Sequence, residues 1–393
     1  MKLSYNWASR YWTMKGVDSP EQFIERYNQA GYTLEKTTVY KAGENGVIKD
    51  NIVWDIDVPR SRDDLLCMMW NTKECCGLFH TYFLDNCAFG HWGPSHEWEK
   101  EVIPERHRLY LSLTLHSYTD KVTYLDGQVI GSVNPNGKVH DFINDEVIAL
   151  EYPYDNIYEM IQLYCIRNCG VPYYFFDAEK ISTKEISLKE ADESGVIYYH
   201  GQPYEYDTND VVMVSNNKVI GIGGIIIDDS VAPTKETTSL IIMCMSIDYK
   251  EVTRLIKKLK IDTFNGYVAS FNTNPCSVSK GLGYATSYLY ECCSAKEIYA
   301  PTVMNKYDQQ RIHLRSSVSE INAILGSDYS YEEIKEILSN GQVQPFDLEE
   351  DGDHFKVKLQ SYSLDKYSCD LAQRIINYDG YKRIGKGGNK NAI

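Results

Sequence analysis

No stretch of this chain approaches the roughly 18 unbroken apolar residues that a membrane-crossing helix requires, so a membrane partner is not expected. Positive charge is also scarce: 40 Lys and Arg stand against 55 Asp and Glu, a formal net charge of −15. That balance argues against affinity for nucleic acid built on phosphate neutralisation across the surface, and confines any RNA contact to a local patch. The start, Met1-Lys2-Leu3-Ser4-Tyr5-Asn6-Trp7, lacks the apolar core and small-residue cleavage site of a secretory signal, which predicts a cytoplasmic protein. The 11 cysteines are odd in number, and Cys75-Cys76 and Cys292-Cys293 are adjacent, so free thiols are expected rather than a disulfide framework. Cys-x-x-Cys, His-Glu-x-x-His, the Walker lysine, the nucleophile elbow and the kinase set are all missing, and His91 and His96 have no third ligand nearby. Neither a metal nor a cofactor is expected.

The 393 residues, 43% hydrophobic and 24% charged, suit a globular protein of two or three domains at about 150 residues each. Ser19-Pro20 opens a helix that Gly31 ends, with Phe23, Tyr27 and Ala30 on one face. Ile52 to Val58 reads as a strand, and Pro59 to Asp64 as a turn that launches a helix from Leu65 to about Phe79. The segment 86–108 reads as a linker. Strand character begins at Leu109, with turn signals at Asp126-Gly127 and Asn134-Pro135-Asn136-Gly137. A helix is expected from Tyr154 to Asn168, broken at Gly170-Val171-Pro172; strands follow at Val211 to Val214 and Val219 to Ile227, then a helix at Lys250 to Lys260. Ser330 and Glu333 form a capping box, His354 to Leu359 reads as a strand, and a last helix is placed at about Cys369 to Asn377.

Four features invite a chemical reading, and each has a plainer one. Gly221-Ile222-Gly223-Gly224 is half of a dinucleotide motif, but strand residues follow where a phosphate site needs a helix N-terminus, so a close-packed turn or bulge is the better reading. Asp55 and Asp57 share a strand face and suit ionic hydrogen bonds to Arg60 and Arg62 at a corner. Asp228 and Asp229 end an apolar strand, at a pocket mouth or in a solvated turn. Lys257, Lys258 and Lys260 form the wet face of a helix or a local RNA patch.

Several segments together resemble the β subunit of bacterial phenylalanyl-tRNA synthetase. They are Leu3-Ser4-Tyr5-Asn6-Trp7 with Ala30 to Glu35, and the corner from Asp57-Val58 to Asp64, similar to "DVTPNRxD". Gly170 to Ile181 is similar to "GQPLHAFDADKL", and Ile220 to Thr238 to "AGIMGGEDSEVTEETT". Leu314 to Ser317, Ile324 to Ser327 and Gly380 to Ile384 resemble the module that follows. The resemblance implies a multidomain α+β protein: an N-terminal α+β domain at 1–85, the linker at 86–108, an editing-like B3/B4-type domain at 109–305, a winged-helix-like B5-type module at 306–384 and a flexible tail at 385–393.

The departures from the family are as informative. Residues 41–50 connect Tyr40 to Asn51 where the family inserts an oligonucleotide-binding barrel, and the sequence ends at Ile393, before the family's catalytic-like and anticodon-binding domains. A truncated, divergent paralogue is the expectation. The family's editing site uses a histidine, a Thr-Asn pair and a Gly-Gly-Glu turn; by alignment these become Tyr174, Gln162-Leu163 and Ile226-Ile227-Asp228. Isoleucines in place of glycines would fill or reshape the pocket. The resemblance therefore implies no catalytic residues, and a ligand pocket formed by Gln162, Tyr173, Tyr174, Gly223, Gly224 and Asp228 that takes a small amino-acid-like ligand, tRNA or a protein partner. Two alternatives stand beside it. One is a hydrolase of mischarged tRNA in which Asp228 and Tyr174 orient water, and the other is a non-catalytic synthetase β subunit contacting the α subunit.

Overall fold

The computed structural model describes residues 1–13, 19–29, 33–57, 79–80, 113–271, 273, 275–305, 313–340, 347–351, 354–358, 367–373 and 375–376. The expected turn at 59–64, the helix from 65, the linker at 86–108 with His91 and His96, the first strand residues at 109–112, the motif at 380–384 and the tail lie outside the described residues.

The N-terminal part runs β1 (Lys2–Ser4), α1 (Tyr5–Tyr11), β2 (Trp12–Thr13), α2 (Pro20–Gln29), β3 (Thr33–Tyr40), β4 (Asn51–Asp57) and β5 (Phe79–His80). Ser19 caps α2 as expected, its hydroxyl accepting from the Gln22 N–H at 3.3 Å, and Phe23 and Tyr27 are buried. The sheet order is β1-β4-β3, all antiparallel. Asp55 pairs with Lys2 at 3.1 Å, across the β1–β4 ladder, while Asp57 is exposed; Arg60 and Arg62 lie outside the described residues.

The central part holds β6 (Thr114–Ser117), β7 (Val122–Gly131), α3 (Asp141–Leu150), α4 (Ile157–Cys169), β8 (Tyr173–Asp177), β9 (Glu185–Glu190), β10 (Gly195–Tyr199) and β11 (Gln202–Tyr206). It continues through β12 (Val211–Ser215), β13 (Lys218–Ile222), β14 (Ile226–Ile227), β15 (Leu240–Ile247), α5 (Tyr249–Leu259), α6 (Phe264–Ala269), α7 (Pro275–Cys293), β16 (Glu297–Ile298) and β17 (Thr302–Asn305). Two five-stranded sheets form, β16-β7-β15-β8 with β17 also on β7, and β14-β13-β12-β9-β6, in which β6 and β9 are parallel.

Strand β15 shows how the layers arise. Leu240, Ile242 and Cys244 face a core shared with α4 and α7, whereas Ile241, Met243 and Met245 face the core between the two sheets. A strand covered on both faces reads as a continuous apolar run, which is why Leu240–Ile247 shows no alternation. The first of these cores also takes in Leu3, Trp7, Phe23, Trp54 and Ile56, so β1, β4 and α2 share one buried mass with the helix layer.

The turn expected at Asp126-Gly127 is absent: β7 runs straight through, paired with β15 on one side and with β16 and β17 on the other. Gly127 is there for space, since a Cβ would meet Leu113 Cδ2 at 2.7 Å. The expected turn at Asn134 does form, with the Gly137 N–H donating to the Asn134 carbonyl at 3.2 Å. Helix α4 ends at Gly170, which adopts the left-handed conformation at φ 65°.

The last part comprises β18 (His313–Ser317), α8 (Val318–Leu325), α9 (Tyr331–Asn340), β19 (Asp347–Asp351), β20 (His354–Lys358) and helical residues at 368–373 and 375–376. Its sheet order is β18-β20-β19, and it has its own core around Leu314, Ile334, Phe355 and Leu371. The capping box closes in both directions: the Ser330 N–H donates to Glu333 at 2.8 Å, and the Glu333 N–H to the Ser330 hydroxyl at 3.3 Å. The whole is a multidomain α+β protein.

Candidate functional site

A cavity of about 820 Å³ opens where the edge strand β8 meets the start of α4, the tip of the β10–β11 hairpin and the β13–β14 connection. Helix α4 supplies Glu159, Gln162, Leu163 and Ile166 to one wall. Its N-terminus is fixed by Asn156, whose side chain accepts from the N–H groups of Tyr158 and Glu159 and donates to the Pro233 carbonyl at 3.1 Å. Glu159 is held in turn by the Asp155 N–H at 2.6 Å and the Asn156 amide at 3.1 Å. Burial nevertheless pushes its carboxyl up.

The roof is the two-residue turn of the hairpin, His200-Gly201, with both residues at positive φ (47° and 73°). A non-glycine residue in that conformation needs support. Asp229 provides it, accepting from the His200 N–H at 2.9 Å and the Gly201 N–H at 2.8 Å. The His200 ring then meets Asp155 at 3.1 Å, which links the hairpin to the entrance of α4. Tyr199 lines the same side, its phenol pushed up by burial and the surrounding carboxylates.

The site residues expected from the sequence divide between the cavity and its supports. Gln162 is at the wall, donating to the Tyr173 carbonyl at 2.7 Å. Tyr174 lines the cavity, but its hydroxyl is enclosed, with no hydrogen-bond partner among the described residues. Tyr173 is not in the lining: alternation along β8 turns its ring into the helix layer, where the phenol donates to the Gly281 carbonyl at 2.8 Å. Asp228 is also turned away. It accepts from the Tyr198 N–H at 2.9 Å and from Ser230, with Lys218 at 3.7 Å, and against the cost of burial these hold its carboxyl below the usual range.

Gly223 and Gly224 form the bend between β13 and β14 and sit outside the lining because they are packed against the core. A Cβ on Gly223 would meet Val211 Cγ1 at 2.7 Å; one on Gly224, at φ +78°, would meet Val252 Cγ2 at 2.9 Å. Gly224→Ala is therefore expected to cost roughly 2–4 kcal/mol, from backbone strain and overpacking together, measured as a lower urea midpoint at an unchanged slope.

The isoleucines do not fill the pocket. Ile226 is buried in the core between the sheets, and Ile225, Ile226 and Ile227 form part of a cavity wall that stays open. Sequence reasoning missed Asp155, Glu159 and His200, and of the pair Asp228 and Asp229 that it set at a pocket mouth or in a turn, it carried only Asp228 into the site, whereas Asp229 is the one in the lining. The signal for His200 was present, a His-Gly pair between two runs of alternating residues, but its approach to Asp155 depends on a fold that joins positions 45 residues apart.

With this geometry in place, comparison with known proteins gives the class. The model of the B3/4 domain family matches residues 126–294, the segment that carries the cavity. Curated phenylalanine--tRNA ligase beta subunits are similar over much of the chain. The one from Streptococcus thermophilus is 21% identical over 338 residues, 85% of this chain and 40% of that protein. The one from Lactococcus lactis is 23% identical over 290 residues, covering 73% and 36%. A crystal structure of an N-terminal fragment of the phenylalanyl-tRNA synthetase beta subunit from Pyrococcus horikoshii covers 97% of this chain and 99% of the fragment, at 13% identity and a TM-score of 0.48, too low to bear on the assignment.

The central segment is thus a B3/4-type domain. The chain as a whole is a phenylalanyl-tRNA synthetase β-subunit-like protein, and it spans about two fifths of the length of the first of these relatives.

Proposed function

We propose that this protein uses its B3/4 cavity to bind a small amino-acid-like ligand with a free ammonium group, without transforming it. The observation that carries this reading is the charge of the lining. Asp155, Glu159, Asp229 and Glu236 stand against a single lysine, Lys235, beside apolar surface from Leu163, Ile166 and Phe264. Such a wall attracts an ammonium group and repels the phosphates of a tRNA end. A distributed RNA surface is also poorly supported on α5, where Lys258 is paired with Asp207 at 2.6 Å and with Asp210, and Arg254 is paired with Asp210 and Glu251 at 2.6 Å. Support for a further ligase subunit as partner comes from the relatives' name, a beta subunit.

Calorimetric titration with L-phenylalaninamide tests the reading. Binding is expected, and Glu159→Gln is expected to weaken it at least tenfold, the scale of one charge-assisted hydrogen bond of about 1.5–3 kcal/mol. An undiminished affinity in that variant would sink the assignment of the ammonium site.

A second reading, ester hydrolysis, is favoured by the His200–Asp155 contact, because a histidine oriented by a carboxylate in a solvent-reached cavity can act as a general base. Asp228 and Tyr174 do not serve that role, one being turned outside and the other sealed. Release of tyrosine from mischarged tRNA, lost in His200→Ala, would establish it.

A further inference from the structure

The outer edge of the N-terminal sheet is open, and its residues match a second copy of themselves. Met1 and Ile56 exchange both backbone hydrogen bonds, at 2.6 and 2.8 Å, which makes them a bonded pair of the β1–β4 ladder. Bonded residues alternate along an antiparallel strand, so Ile56 and Trp54 turn their backbone groups to β1, whereas Asp55, Val53 and Asn51 turn theirs to β3. Their partners Lys36, Thr38 and Tyr40 therefore bond inward, and Thr37 and Val39 direct N–H and C=O away from the sheet. Both residues are exposed, Val39 at 53%, and neither backbone has another partner among the described residues.

At eight residues β3 is the longest edge strand among the described residues. Long edges are ordinarily blunted by proline, charge or a bulge. The edge strand β11 carries Pro203; β3 carries no proline, and its bulge lies between Leu34 and Lys36, ahead of a regular run to Tyr40. We infer that two copies of this chain pair through β3, antiparallel about a twofold axis at Thr38, so that their N-terminal sheets become continuous. In that register Thr37 of each copy exchanges two bonds with Val39 of the other, and every open group on both edges is used. A shift of two residues either way sets Thr37 or Val39 against itself and leaves the other facing the bulge or the loop after Tyr40. The side chains agree with the same register. Thr38 meets its own copy, and Val39 lies opposite Thr37, β-branched pairs that suit adjacent strands. Lys36 falls opposite Tyr40, whose hydroxyl donates to Glu151 at 3.1 Å, so each cation stands beside a ring and a carboxylate of the other copy. A contact this small makes a weak dimer, governed by concentration.

Sedimentation velocity of the whole chain is expected to show the average mass rising from monomer toward dimer between roughly 5 and 500 µM. Val39→Pro removes an open donor and spares the bonds to β4, and Thr38→Lys sets two like charges on the axis. Each is expected to weaken dimerisation at least tenfold with an unchanged urea midpoint. Register is read by oxidation. Thr38→Cys is expected to give a crosslinked dimer, because facing residues of a non-bonded pair stand about 4.5 Å apart at Cα, within disulfide reach. Lys36→Cys, displaced by about 13 Å along the strand from its own copy, is expected to give no more crosslinking than the parent. A chain that stays monomeric across the range, a dimer that Val39→Pro and Thr38→Lys leave intact, or equal crosslinking through positions 36 and 38 would each overturn the inference.

Discussion

Urea denaturation of the Arg167→Met chain is expected to show a loss of roughly 3–5 kcal/mol against the parent, because the change leaves Glu146 as a buried carboxylate without its counter-ion. Arg167 and Glu146 stand 3.1 Å apart on α4 and α3, at 1% and 2% side-chain exposure. The guanidinium is close to the carboxylate but not aligned on it: its N–H groups make no hydrogen bond among the described residues, and the cation instead lies 4.5 Å over the Trp7 ring. Glu146 also takes contacts from Ser4 and from the Asn51 amide, the latter at 3.3 Å. Burial pushes its carboxyl up against the pull of these groups and of Arg167. Since desolvating both ions costs more than a misaligned pair returns, replacing both by methionine is expected to recover most of the loss. A double variant as unstable as the single one would show that the packing of the Arg167 stem over Trp7, and not the charge, is what matters.

The second expected result concerns pH. Asp126 sits in the middle of β7 at 4% exposure, with one carboxyl oxygen lacking a partner among the described residues; burial pushes its pKa up to about 8, and the Gly127 N–H works against that. Its titratable neighbour across the ladder is Cys244, itself raised by burial. In the unfolded chain the Asp126 carboxyl ionises near pH 4, and in the fold near pH 8. The neutral acid is therefore compatible with the fold at low pH, and stability is lost as pH rises from about 4 to about 8, on the order of 5 kcal/mol from this group. Asp126→Asn removes that slope. Its stability relative to the parent is expected to grow with pH across this window, read from denaturation midpoints at pH 5, 6.5 and 8. A difference between the two chains that is constant with pH would mean that Asp126 is already ionised in the fold at pH 5.

Much of the fold was written locally. Ser19-Pro20 started α2, Gly170 stopped α4, and Ser330 with Glu333 started α9, because a cap acts within four residues of its own position. What failed depended on distant partners. Asp126-Gly127 reads as a turn until β15 and β17 are seen flanking it, and α7, with Gly281 and Tyr284 inside it, is hidden from periodicity because it packs both on the β7–β15 sheet and against α4. The site was less legible still. Motif resemblance pointed to the right region, but alignment could not tell the inward side of β8 from the outward one, and it put weight on Asp228 where Asp229 is the residue at the wall.

The common core of the N-terminal strands and the central helix layer has a consequence for descent. Trp7, Trp54 and Phe23 lie in the same apolar mass as Tyr158 and Tyr164, so a gene fragment cut at residue 126 would inherit a helix layer stripped along one flank. Shuffling would favour breakpoints further upstream, and the smallest piece of this lineage able to travel intact between genomes is larger than the matched segment alone.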